Sequence, residues 1–86
     1  MKSTVKLYMR KRCHLCEEAK ILLEELQHSW KFEIVEVDID EEDWLIEQYG
    51  IIIPVIDIDG EEVAAGIIHK NSIIEALTRK NVDLNS

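Results

Sequence analysis

The chain has 86 residues, 47% of them apolar, which is enough for one hydrophobic core and too little for two domains. Its formal net charge of −8 disfavours nucleic acid and anionic membrane surfaces as partners, because both carry a dense negative field. The opening residues Met1-Lys2-Ser3-Thr4-Val5 lack the long apolar segment of an export signal, and no apolar run approaches a bilayer span. A soluble cytoplasmic protein, acting as a monomer, is the expectation.

Thr4-Val5-Lys6-Leu7-Tyr8-Met9 combines strand-forming residues with rough alternation and stops at the basic cluster Arg10-Lys11-Arg12, which predicts a first strand and a short loop. Leu15, Ala19, Leu22, Leu23 and Leu26 then recur at helical spacing, with Glu17, Glu18, Lys20, Glu24 and Glu25 on the other face. Phe32 to Asp38 returns to strand composition. The acidic run Asp40-Glu41-Glu42-Asp43 suits a helix amino terminus, and a second helix is predicted through Trp44, Leu45 and Tyr49, ended at Gly50 by a left-handed cap.

Ile51 to Ile58 is apolar enough for a buried strand, and Asp59-Gly60 joins it to Glu61-Glu62-Val63-Ala64-Ala65 as a hairpin. The pattern Ser72-Ile73-Ile74-Glu75 is that of a capping box and predicts the start of a last helix there. The order is therefore βαβαββα, an α/β fold with a mixed four-stranded sheet flanked by helices. No repeat or linker divides the chain, so residues 1–86 form one domain, with Asn81 to Ser86 expected as a loose tail.

Two cysteines, Cys13 and Cys16, are too few for a disulfide framework and close too small a loop to restrain the unfolded chain. Redox chemistry suits them better. Thiol–disulfide exchange needs a thiolate open to solvent and a second thiol near enough to release the mixed disulfide. With Cys13 at the start of the helix, free N–H groups and the positive end of the helix dipole favour its thiolate, while Cys16 lies one turn further in. Cys13 then attacks and Cys16 resolves. Arg10, Lys11 and Arg12 add positive charge beside Cys13, Glu17 and Glu18 oppose it, and a protonated His14 would help it.

A metal site competes, because C-x-x-C between a first strand and a helix also occurs in small copper-chaperone domains, and Met9 lies just upstream. That fold continues βαββαβ, however, and a four-ligand zinc site would have only His14, His28 and His69 to draw on. No metal is assigned. The alternative function is a non-catalytic binding module whose dithiol is a redox sensor or metal site. Pro54, the single proline, stands where a missing N–H is costly; a cis Ile53–Pro54 bond at the edge of the site would explain it, a trans proline opening the strand being the other reading.

C-x-x-C after the first strand, a proline at the third, an Asp-Gly hairpin and a glycine before the last helix together resemble the glutaredoxin and thioredoxin superfamily. The run Cys13-His14-Leu15-Cys16-Glu17-Glu18-Ala19 is most similar to short bacterial glutaredoxin-like proteins. The resemblance implies a thiol–disulfide oxidoreductase with Cys13 as nucleophile and Cys16 as resolving thiol. It also implies a cis proline at Pro54 packed against the dithiol and a substrate-facing surface around Arg12, His14, Ile53 and Gly66. No bound organic cofactor is implied.

Several family features of glutathione-using members are absent. His14-Leu15 replaces Pro-Tyr between the cysteines, Ile52-Ile53 replaces Thr-Val before the proline, and Ala65-Gly66-Ile67-Ile68-His69 lacks the acidic residue of Gly-Gly-x-Asp. Arg12 also stands where thioredoxins carry tryptophan. Glutathione and a disulfide-containing protein both stay open as partner.

Overall fold

A computed structural model describes residues 2–85. Four strands, β1 (Ser3–Met9), β2 (Phe32–Asp38), β3 (Val55–Ile58) and β4 (Glu61–Ala65), form one sheet in the order β2-β1-β3-β4. β1 runs parallel to β2 and antiparallel to β3, and β3 runs antiparallel to β4. Helices α1 (His14–Leu26) and α3 (Lys70–Arg79) contribute to the larger core cluster, while α2 (Asp43–Tyr49) contributes to the smaller one. The mixed α/β sheet expected from the sequence is the one observed.

Alternation along the strands sorts the core. Val5 and Leu7 of β1, with Ile56 and Ile58 of β3, pack against Ala19, Leu23 and Leu26 of α1 and Ile73, Ala76 and Leu77 of α3. Tyr8 and Val55 fall on the opposite face and meet Ile39 and Leu45. There the Tyr8 hydroxyl donates to Asp57 Oδ2 at 3.2 Å, and the Tyr8 ring stacks on Tyr49 with centroids 4.2 Å apart. Burial, then the neighbouring Tyr49 and the charge of Asp57, push the Tyr8 phenol above its usual pKa, so it is a neutral donor throughout the ordinary pH range. The stack ties the end of α2 to the sheet.

The Asp59-Gly60 hairpin forms as expected, with both residues at positive φ (48° and 89°), the conformation a two-residue turn requires. Four other expectations are corrected. β3 begins only at Val55: Ile51 and Ile52 form a turn, Ile51 is fully exposed, and Pro54 has no N–H with which to extend the ladder. Gly50 does not cap α2 in a left-handed conformation; its φ of −52° continues the helical turn, and its need for glycine is one of space, since a Cβ would sit 2.5 Å from the Ile46 carbonyl oxygen.

α3 starts two residues before Ser72. His69 is the N-cap without a side-chain cap, and its carbonyl accepts from both Ser72 and Ile73, which leaves Ser72 inside the first turn. Residues 82–85 are docked where a loose tail was expected (Ser86 lies outside the described residues). Asn81 takes a left-handed φ of 57°, its N–H donates to Thr78, and the Val82 N–H donates to Leu77, together the pattern of a Schellman cap. Val82 is buried, Leu84 bridges Trp30, and the Asn85 side-chain amide donates to the carbonyls of Gln27 and Trp30.

Two outcomes check this packing. Leu23→Ala should lower unfolding free energy by about 2–5 kcal/mol in denaturant titration, the usual cost of a buried leucine cavity. Removing residues 82–86 should cost about 1.5–3 kcal/mol from Val82 burial alone, whereas a loose tail would be removed without effect.

Candidate functional site

β1 delivers the chain to the end of the sheet, where Arg10 to Arg12 turn it back into α1. Arg12 adopts a left-handed φ of 60° at this reversal. Cys13 is the N-cap of α1: its backbone is extended, its carbonyl accepts the first helical hydrogen bond from Glu17, and the Cys16 N–H donates to its Sγ at 3.2 Å. Cys13 and Cys16 are joined as a disulfide with Cα atoms 5.2 Å apart. Cys13 is half-buried and Cys16 is 2% exposed, the first rim-facing and the second one turn into the core.

The strand register sets the rest of the site at the same end. Tyr8 pairs with Val55 and Val55 with Ala65, so Pro54 and Gly66 both follow at the sheet end to which Met9 leads. The Ile53–Pro54 bond is cis, as the sequence reading preferred, and Pro54 is buried. Gly66 has φ of +75°, and its N–H donates to the carbonyls of Ile52 (3.1 Å) and Pro54 (2.8 Å), pinning the β3 entry loop to the end of β4. Among the described residues, the N–H and carbonyl of Ile53 have no backbone partner. His14, the first residue of α1, is exposed, with Nε2 3.3 Å from Glu18 Oε1.

The basic triplet divides. Arg10 is held by the Asp40 carboxylate through Nε and Nη2 at 2.9–3.1 Å, so its charge is partnered, while Lys11 and Arg12 make no ion pair among the described residues. A cavity of about 280 Å³ opens beneath this turn on the β2 side, lined by Leu7, Met9, Arg10, Lys11, Arg12, Cys16, Glu17, Lys20 and Glu36. Ile53, Pro54, Gly66 and His14 are not part of its lining, whereas Arg12 is. No cluster of three or more His, Cys, Asp or Glu side chains that could hold a metal occurs among the described residues.

The sequence reading missed two features. Lys20 Nζ lies 3.0 Å from Glu36 Oε1 in the cavity wall, and the hydrogen bond to Glu36 raises the Lys20 pKa. The signal was present in the four-residue spacing of Cys16 and Lys20, which puts both on one side of α1. The second is apolar exposure: Leu15, assigned to the apolar face of a helix, and Ile51 and Ile52, assigned to a buried strand, present side-chain surface to solvent, as does Ile67, which was assigned to no element.

The sequence profile of the glutaredoxin-like domain (DUF836) matches residues 4–80, which includes both cysteines, Pro54 and Gly66. The chain belongs to this family. Among solved structures, this glutaredoxin-like domain is similar to protein Ne2328 from Nitrosomonas europaea (27% identity, 88% of this chain and 92% of that one, TM-score 0.78). It is also similar to a structural-genomics target from X. campestris (28% identity, 87% and 96% coverage, TM-score 0.73). A thioredoxin variant from Halobacterium salinarum shares the fold at 20% identity, with 99% and 79% coverage and a TM-score of 0.66. No curated protein matches the sequence. No helix among the described residues is long and apolar enough to cross a membrane.

Gly66→Ala should destabilise the domain by about 1–2 kcal/mol in denaturant titration, through the left-handed backbone alone. A Cβ there meets no atom within 4 Å, so a larger loss would contradict this account.

Proposed function

We propose that this glutaredoxin-like domain is a thiol–disulfide oxidoreductase in which Cys13 attacks and Cys16 resolves. The observation that carries the reading is the asymmetry of the pair: Cys13 caps α1 at the rim, with the Cys16 N–H aimed at its sulfur, while Cys16 is buried. In the reduced protein that N–H and the helix dipole stabilise a Cys13 thiolate, and the unpartnered Lys11 and Arg12 add positive charge nearby.

The Cys13 thiolate displaces one sulfur of a substrate disulfide and forms a mixed disulfide. Cys16, as thiolate, then forms the Cys13–Cys16 bond and releases the second substrate sulfur. Two cysteine thiols supply both electrons, so the reaction needs no bound organic cofactor.

A disulfide in an extended protein segment is the substrate class best supported. The cis proline loop offers the free backbone groups of Ile53 for pairing with an extended chain, and Ile51, Ile52, Ile67 and Leu15 offer exposed apolar surface on the surrounding loops and first helical turn. Glutathione, a small anionic tripeptide, would use little of that surface and would approach against the net charge of −8.

Wild type should reduce a model protein disulfide, Cys13→Ser should lose that activity, and Cys16→Ser should accumulate a mixed disulfide on Cys13. Mass spectrometry of Cys16→Ser incubated in cell extract should find protein adducts in excess of glutathione. Negligible activity in wild type as in both variants would overturn the enzymatic reading, and an adduct population made only of glutathione would overturn the substrate class.

A further inference from the structure

Three loops meet at the dithiol end of the sheet, and their side chains differ in kind. β1 and β4 end there and β3 begins there, so the order β2-β1-β3-β4 puts the Arg10–Arg12 turn beside residues 51–54, and these beside residues 66–68. Two strand spacings separate the first loop from the last, about 10 Å, which about three residues of an extended chain cover.

The loop after β1 is cationic. Arg10 is committed to Asp40, but Lys11 and Arg12 are exposed and make no ion pair among the described residues, in a chain with 18 acidic side chains. The neighbouring carboxylates do not neutralise them: Asp40 is held by Arg10, Glu18 faces His14, and Glu17 pairs with neither. Arg12 takes its left-handed φ of 60° where a glycine would sit without strain, so the backbone supplies no reason for an arginine there.

The other two loops are aliphatic. In a chain that is 33% charged, neither residues 49–56 nor residues 63–68 include a charged side chain. Ile51 is fully exposed, Ile67 is 68% exposed and Ile52 is also open to solvent. The Gly66 N–H, bonded to the Ile52 carbonyl, holds these two loops together as one surface.

We infer that the substrate disulfide lies in a segment with acidic residues on one side of its cysteine and aliphatic residues on the other, Lys11 and Arg12 selecting the acidic side. The inference rests on the proposed oxidoreductase reading and deepens it. The width of the surface places both kinds of residue within about three positions of the cysteine. Fields between exposed charges fade over about 8 Å at physiological salt, so the two cations beside Cys13 outweigh the more distant acidic surface behind the net charge of −8. Aliphatic side chains on the opposite side of the cysteine then cover Ile51, Ile52 and Ile67.

Capped peptides that carry their cysteine as a mixed disulfide with 2-nitro-5-thiobenzoate test this. They are made in both orders, Leu-Leu-Cys-Glu-Glu and Glu-Glu-Cys-Leu-Leu, and again with lysine in place of glutamate. The Cys13 thiolate bonds to the peptide sulfur, the bond between that sulfur and the reagent breaks, and thionitrobenzoate leaves as a coloured thiolate. Each rate constant is divided by that for 2-mercaptoethanol, which removes the intrinsic reactivity of the peptide.

One glutamate order should react at least about tenfold faster than its lysine counterpart at low salt, and at least about fivefold faster than the reversed order. The glutamate–lysine gap should fall below about threefold in about 0.5 M salt. Lys11→Glu combined with Arg12→Glu should invert the glutamate–lysine preference, and comparing peptides within one variant cancels any change in the Cys13 thiolate. Lys2→Glu combined with Lys31→Glu, an equal change of charge where β1 and β2 begin at the far end of the sheet, should keep the preference within about twofold of wild type. Equal rates for glutamate and lysine peptides, equal rates for the two orders, or an inversion reproduced by the Lys2 and Lys31 variant would overturn the inference. Release by wild type no faster than by Cys13→Ser would instead overturn the oxidoreductase reading.

Discussion

The site depends on where the amino terminus of α1 comes to rest. Ala19, Leu23 and Leu26 bury against Val5, Leu7, Ile56 and Ile58, and this stripe sets the rotation of the helix about its axis. With that rotation fixed, Cys16 lies on the buried stripe one turn ahead of Ala19, and Cys13, three residues earlier, is left at the rim as the cap. The chemical difference between two identical side chains thus follows from apolar packing further along the helix.

The second constraint is that three chain reversals share one end of the sheet. The Arg10–Arg12 turn leaves β1, the cis proline loop enters β3, and Gly66 leaves β4. Gly66 joins the latter two through one N–H, and the Tyr8–Tyr49 stack fixes the end of α2 from which the proline loop departs. The loop is thus held by the end of β4 and by α2, and among the described residues the backbone of Ile53 has no backbone partner. Arg10 anchors the opposite flank through Asp40 in the short 3-10 turn Ile39–Glu41.

Periodicity and local turn chemistry carried most of the fold in the sequence. The α1 stripe, the Asp59-Gly60 turn and the alternation in β1 each follow from short-range rules, and Cys13 could be put at a helix start on that basis alone. The misreadings came where long-range contacts outweighed local pattern. The isoleucine run from Ile51 has strand composition, yet Pro54 breaks the ladder and the site leaves Ile51 and Ile52 in solvent. Ser72 and Glu75 form a good capping motif, but burial of Ile73, Ala76 and Leu77 is served by a helix that starts earlier. The tail from Asn81 could not be read as docked, because Val82 folds back into the core and Asn85 reaches carbonyls of a turn more than fifty residues away. The Lys20–Glu36 pair belongs to the same class, joining a helix and a strand whose register sequence spacing does not specify.

Site-resolved alkylation reads the chemical asymmetry of Cys13 and Cys16 without a substrate. The reduced domain is treated with limiting iodoacetamide across a pH series, and modification of each cysteine is followed by peptide mass spectrometry. Cys13 should react at least about tenfold faster than Cys16 and stay reactive below the ordinary thiol pKa of about 8.5. Equal rates at the two cysteines, or faster modification of Cys16, would contradict the account.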